Sequence, residues 1–163
     1  QIIFVDSSAS TEQPKKESFE NYEEANSVAD YLLSFKKELD LDTMAIMSPL
    51  RTQALLIKNV VQDNRKADLG AKLSKFAMIG SFEDFVSLRF STIVVSLVRT
   101  ESFAEAGALY NSQQLIDFLF SRLQNHPKTG ARGKLVVISK AGALNDLWKS
   151  QCYSAPNVTL FEL

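Results

Sequence analysis

Thr92-Ile93-Val94-Val95-Ser96-Leu97-Val98 carries five apolar residues in seven positions, with no alternation between apolar and polar. A strand with one wet face alternates, whereas a run like this is buried on both faces, as in a parallel sheet covered by helices. Working outward, Ile2–Val5, Met44–Met47, Phe76–Ile79 and Leu135–Ile138 have the same character, and Val158–Phe161 fits a last edge strand. Helical patterns lie between them. Asn21, with Glu24 three residues on, is a capping-box pair opening a helix to about Leu39. Ser48-Pro49 sets a serine cap before a proline at a first helical position. Leu115, Phe118, Leu119 and Leu123 line a third helix, capped by Asn111 or Ser112, and Ala141 to about Ser150 forms a shorter fourth. Strands alternating with helices predict a three-layer α/β fold, a mainly parallel sheet of five or six strands with helices on both faces. Ser7–Ser18 and Asn125–Gly133 are expected to be polar loops, the second a mobile one.

The composition bounds what such a domain does. The 163 residues fit one domain, residues 1–163, and 45% hydrophobic with 23% charged residues excludes a disordered or low-complexity chain. The net charge of −1 excludes a domain that is basic throughout, but the charge is uneven. Residues 1–43 carry −6, 44–80 carry +4, 81–120 carry −3 and 121–163 carry +4. No apolar run is long enough to span a bilayer, so no membrane partner is expected. One cysteine, Cys152, and one histidine, His126, make neither a disulfide nor a zinc site, and the expectation is an intracellular chain without a metal. Beginning at Gln1 with no signal pattern, it is read as a domain of a longer protein.

Little chemistry is visible from general motifs. There is no G-x-x-x-x-G-K-[ST] and no G-x-G-x-x-G; Gly133-Lys134 is followed by Leu135. A Ser–His–Asp assembly would need His126, and Cys152 has no evident base beside it. Arg51, Lys58, Arg65, Lys66, Lys72 and Lys75 could follow a nucleic-acid backbone, but without interleaved aromatics a solvated face fits them better.

Five segments in order carry a resemblance. Residues 2–7 (IIFVDS) and 19–35 (FENYEEANSVADYLLSF) are similar to an opening strand and an N-x-x-E-A-x-x-V helix. Residues 42–61 (DTMAIMSPLRTQALLIKNVV) resemble I-x-V-I-T-P-Y-x-x-Q. Residues 79–100 (IGSFEDFVSLRFSTIVVSLVRT) resemble V-D-S-F-Q-G-x-E and the strand V-I-L-S-L-V-R. Residues 115–124 (LIDFLFSRLQ) align with R-L-N-V-A-L-T-R-A-K, and 135–148 (LVVISKAGALNDLW) with a closing strand and helix. The chain thus resembles the second RecA-like domain of superfamily 1 helicases of the up-frameshift and senataxin group, which act in RNA decay, silencing and repair.

The resemblance implies a RecA-like fold and ATP held between this domain and a sister domain, which would supply the P-loop and the Mg²⁺ carboxylates. It implies that Arg122 is the arginine reaching the γ-phosphate, where such a group is worth on the order of 10³-fold in rate. It sets Gln53 and Glu83 at nucleotide-facing positions and Ser48, Arg51 and Ser81 at nucleic-acid-facing ones. The departures are concentrated there. The family's Gln-Gly after Ser81-Phe82 is Glu83-Asp84; its first motif arginine is Leu115, its Asn is Asp117, its last Lys is Gln124, and its Tyr after Ser-Pro is Leu50. Two carboxylates at a phosphate site cost on the order of 4 kcal/mol per like-charged pair at about 4 Å and an effective dielectric of 20. Losing the glycine also removes a permissive turn.

A retained core with an eroded site leads to the expectation of a non-catalytic helicase-like module, not an enzyme by itself and without a cofactor of its own. It would serve RNA metabolism as a scaffold for a protein partner or the sister domain, with RNA contact. Phe82, Phe85 and Phe90, in the most divergent segment, are expected to form the partner surface. Two alternatives stand: the C-terminal half of an active helicase using ATP and Mg²⁺, and an unrelated flavodoxin-like binding domain.

Overall fold

The computed structural model describes residues 1–7, 11, 13–15, 18–35, 37–63, 78–98, 113–140, 150 and 158–162. Strand β1 (Ile2–Asp6) is followed by a hairpin, β2 (Gln13–Lys15) and β3 (Ser18–Glu20), and by helix α1 (Tyr22–Ser34). Then come β4 (Met44–Ser48), α2 (Arg51–Asp63), β5 (Met78–Ser81), β6 (Thr92–Ser96), α3 (Gln113–Arg122), β7 (Lys134–Ser139) and β8 (Val158–Glu162). Six strands make one sheet in the order β5-β4-β6-β7-β1-β8, and every pairing in it is parallel.

The continuous apolar runs behave as their burial on two faces requires. Ile3, Val5, Met44, Ile46, Val94, Val136 and Ile138 face α1 and α2; Ile2, Phe4, Ala45, Met47, Ile93, Val95 and Val137 face α3. Both layers are closed: Val94, Val95, Ile46 and Met47 have no exposed surface. The helices sit on opposite faces because the chain turns back. From β4 it moves to β5 through α2 on one face, and from β6 to β7 through α3 on the other. Right-handed crossovers allow no other arrangement. The order therefore reverses between β4 and β6, and in open α/β sheets the crevice at the carboxyl ends of such a strand pair is where ligands bind.

Several expectations shift. α1 stops at Ser34, not Leu39: Phe35 N–H makes the last helical bond, to the Tyr31 carbonyl, and Glu38 N–H then bonds the Phe35 carbonyl in a tighter turn. Leu39 still packs on the α1–α2 layer from outside the helix, which is why the period continued. Ser48 does not cap α2; its Oγ accepts the Leu50 N–H at 3.3 Å, and the Leu50 carbonyl takes the first helical bond from Ala54. Polar Ser7–Ser18 contains β2 of an antiparallel hairpin with β3. The 125–133 loop is a pinned turn: His126 N–H bonds the Ala131 carbonyl at 2.8 Å, Gly130 N–H bonds the His126 carbonyl at 2.8 Å, and Gly130 supplies φ +69°. Phe76, Ala77, the caps Asn111 and Ser112, Cys152, Arg65, Lys66, Lys72, Lys75 and a helix over 141–149 lie outside the described residues.

Candidate functional site

At the carboxyl ends of β4 and β6 the crevice is filled by side chains. Gln53, in the first turn of α2, is fully buried. Its Oε1 accepts Asn21 N–H at 2.8 Å, and its Nε2 donates to the Asn21 carbonyl at 2.9 Å and to Ser96 Oγ at 3.1 Å. Ser96 Oγ donates in turn to Glu24 Oε2 at 2.6 Å, and the same oxygen accepts Val98 N–H at 2.8 Å. Asn21 Oδ1 caps α1 by accepting Glu24 N–H at 3.0 Å, while its Nδ2 donates to the Val98 carbonyl at 2.9 Å. Asn21, Glu24, Gln53, Ser96 and Val98 have no exposed surface.

This assignment resolves the capping box. Only half of it forms, because the Glu24 carboxylate leaves the Asn21 N–H to Gln53 and reaches across to β6. A buried carboxylate accepting charge-assisted bonds is held more strongly than a neutral group and is costly to leave half-bonded. It also has a task. Val98 sits at φ +72°, a left-handed conformation that disfavours β-branched residues by on the order of 1–2 kcal/mol. Both its backbone polar groups are taken by α1 side chains, so the end of β6 is clamped in the strained turn.

On the rim, the ends of β4 and β5 lie in register, Ser48 opposite Ser81. Asp84 Oδ2 accepts both the N–H and the hydroxyl of Ser81, at 2.8 and 3.0 Å, which starts the 3-10 turn Phe82–Phe85. Gly80 makes room for this, since a Cβ there would lie 2.6 Å from Asp84 Oδ2. The Asp that replaces the family's glycine is therefore matched by a glycine four residues before it. Arg51 approaches Glu83 at 3.9 Å and Asp84 at 3.7 Å; all three side chains are largely exposed, so the pairs are worth at most about 1 kcal/mol. Thr52 Oγ1 donates to the Phe19 carbonyl at 2.9 Å, tying the β2–β3 hairpin to α2.

The structure brings Ser48, Arg51, Ser81 and Glu83 to one rim with Gln53 sealed beneath them, and leaves Arg122 elsewhere. Arg122 ends α3 near the amino ends of the strands; Phe90, before β6, bonds its carbonyl. Its guanidinium donates to the Val86 carbonyl and lies 5.6 Å from the Phe118 ring centre. The expected aromatic partner surface needs correcting. Phe85 and Phe90 are 1% and 5% exposed and meet edge to face at 5.5 Å in the core, and half-buried Phe82 packs on Phe118 at 5.3 Å. Their segment fills the α3 layer. Val86 and Leu88 are what it exposes.

His126 serves no nucleophile. Its Nε2 meets Asp40 Oδ2 at 2.8 Å and its Nδ1 accepts the N–H groups of Lys128 and Thr129, both at 3.2 Å. The hydrogen bond from His126 holds the Asp40 carboxyl below the usual range against partial desolvation. Among the described residues no group of three metal-ligating side chains gathers, and no helix is long and apolar enough to cross a membrane. The Glu24–Ser96–Val98 clamp escaped the sequence reading, although Ser96 interrupting an apolar strand was its trace.

A family model described as an AAA domain, one found in up-frameshift-like superfamily 1 helicases, matches residues 1–141. The chain belongs to this AAA family. No curated protein matches it. The all-parallel sheet with helices on both faces is the RecA-like α/β fold, and the domain is helicase-like.

Proposed function

We propose that this AAA-family domain is a non-catalytic helicase-like module of an RNA-metabolism protein, an interaction platform for a protein partner or a sister RecA-like domain, not half of a working motor. One observation carries the reading. The side chain that the family resemblance assigns to the nucleotide, Gln53, spends its carbonyl oxygen and its amide nitrogen inside the fold and has no exposed surface. The rim above it supports the same view, because Glu83 and Asp84 stand where the resemblance puts Gln-Gly, and a polyphosphate would meet two carboxylates beside Arg51. Binding ATP there would require opening a buried network, and each orphaned polar group costs about 1–3 kcal/mol.

The test is nucleotide hydrolysis by the full-length protein, with and without RNA, for wild type and Arg122→Ala. The module reading expects no hydrolysis that depends on Arg122. RNA-stimulated hydrolysis abolished by Arg122→Ala contradicts it and favours the helicase alternative, in which an arginine finger is worth roughly 10³-fold or more.

A further inference from the structure

We propose that the amino edge of the sheet, opposite the crevice, binds the phosphate backbone of a single-stranded nucleic acid; from the reading above it takes only that nucleic acid is the relevant polymer. The observation is a segregation of charge that the total of −1 hides. At the carboxyl edge the charges among the described residues are Asp6, Glu20, Glu23, Glu83 and Asp84 with Arg51 and Lys140, so acids outnumber bases there. At the amino edge the sign changes. Arg89 precedes β6, Arg122 ends α3, Lys128 and Arg132 lie on the loop after it, and Lys134 opens β7, five cations against Asp40 and Asp42 of the turn before β4, whose Thr43 bonds Ser91. Residues 85–91 and 118–134 contain no Asp or Glu.

These segments form one surface. Phe90 N–H bonds the Arg122 carbonyl at 2.8 Å, Gln124 N–H bonds the Phe90 carbonyl at 2.9 Å, and Lys134 N–H bonds the Ser91 carbonyl at 2.8 Å. Among the described residues no carboxylate lies within ion-pair distance of Arg89, Lys128, Arg132 or Lys134. Asp40, held by His126, marks the border of the patch. The cations are strung along neighbouring strand ends about 4.8 Å apart and along a loop, which suits successive phosphates better than a single anion. The negative end of the α3 dipole does not cancel them, since the Arg122 and Phe120 carbonyls are occupied by Phe90 and Leu123 N–H groups. Phe120, 39% exposed two residues before the end of α3, offers a ring on which a base can stack. That exposed aromatic, together with the even spread of charge, favours nucleic acid over an acidic peptide.

The probe is labelled oligo(U) or oligo(dT), titrated with this chain by fluorescence anisotropy between about 50 and 200 mM salt. If each of the five cations meets one phosphate, the log affinity falls with log salt at a slope of about −3.5. Arg89→Ala with Arg132→Ala is expected to flatten the slope by about 1.4 and weaken binding about tenfold or more. Phe120→Ala weakens binding about fivefold or more without changing the slope. Lys140→Ala, on the opposite edge, leaves both unchanged. Binding of either polymer in this pattern supports the proposal. It is overturned if neither binds, if the double variant binds with the wild-type slope while its melting curve is unchanged, if Lys140→Ala weakens binding as much, or if polyglutamate competes as well as RNA. Hydrolysis that depends on Arg122 would overturn the non-catalytic reading and take Arg122 out of this surface, leaving Arg89, Lys128, Arg132 and Lys134 and an expected slope of about −2.8, whereas a failure to bind would overturn the surface and leave that reading standing.

Discussion

Glu24 Oε2, holding the Ser96 hydroxyl and the Val98 N–H, decides how β6 ends. Glu24→Ala strands both donors in the interior and is expected to destabilise the domain by about 3 kcal/mol or more, whereas Glu24→Gln, which keeps an acceptor oxygen, costs less. Urea unfolding measures both. Because part of the carboxylate's task is to hold a strained residue, the cost of Glu24→Ala should shrink when Val98 is glycine, for which φ +72° is unstrained. A double-mutant cycle returning no coupling would separate the clamp from the strain. Gly80 gives a second residue-scale prediction. Gly80→Ala pushes the Asp84 carboxylate off Ser81 and should cost about 1 kcal/mol, a loss that vanishes in an Asp84→Ala background. Gly133→Ala should cost more, because its Cβ would meet the Gln124 backbone carbonyl at 2.7 Å, and backbone there cannot swing aside.

At the scale of elements, the turn before β4 and the loop before β7 are joined by Asp40 and His126. The folded-state pKa of Asp40 is lowered, first by the His126 hydrogen bond. Its contribution is therefore present above the ordinary aspartate value of about 3.9 and is lost as pH falls through the lower folded value. Unfolding curves below about pH 4 should lose part of their acid dependence in Asp40→Asn. Tyr31 gives the opposite sign. Burial, with Glu38 nearby, pushes its phenol up to about 12, so spectrophotometric titration should show a tyrosine ionising above the ordinary value of about 10 that is lost in Tyr31→Phe, with stability falling above about pH 10. The strands and helices were legible in the sequence because two-faced burial and 3.6-residue periods are local patterns, and β1, β4, β6, β7 and β8 fall on the quoted runs. Where α1 ends and where β6 turns were not legible, since Phe35 is closed by a local turn and Val98 is turned by side chains 74 and 77 residues away. The site was legible as a set of positions but not as contacts. Asn21 and Glu24 look like a local cap until β6 is placed beside them.

Across the whole molecule, a helicase-like fold keeps its two apolar layers while its crevice is sealed by hydrogen bonds and its charges divide between the two edges. These properties are compatible, because buried polar groups that meet no ligand must be satisfied internally. The central claim is that residues inherited at a nucleotide-facing position now hold the structure together. The most direct measurement is Gln53→Ala in the full-length protein, followed by both denaturant unfolding and ATP·Mg²⁺ binding. Removing three buried hydrogen bonds is expected to lower stability by about 2–4 kcal/mol and to leave nucleotide affinity unchanged. A variant as stable as the wild type that has lost affinity for ATP would contradict the account.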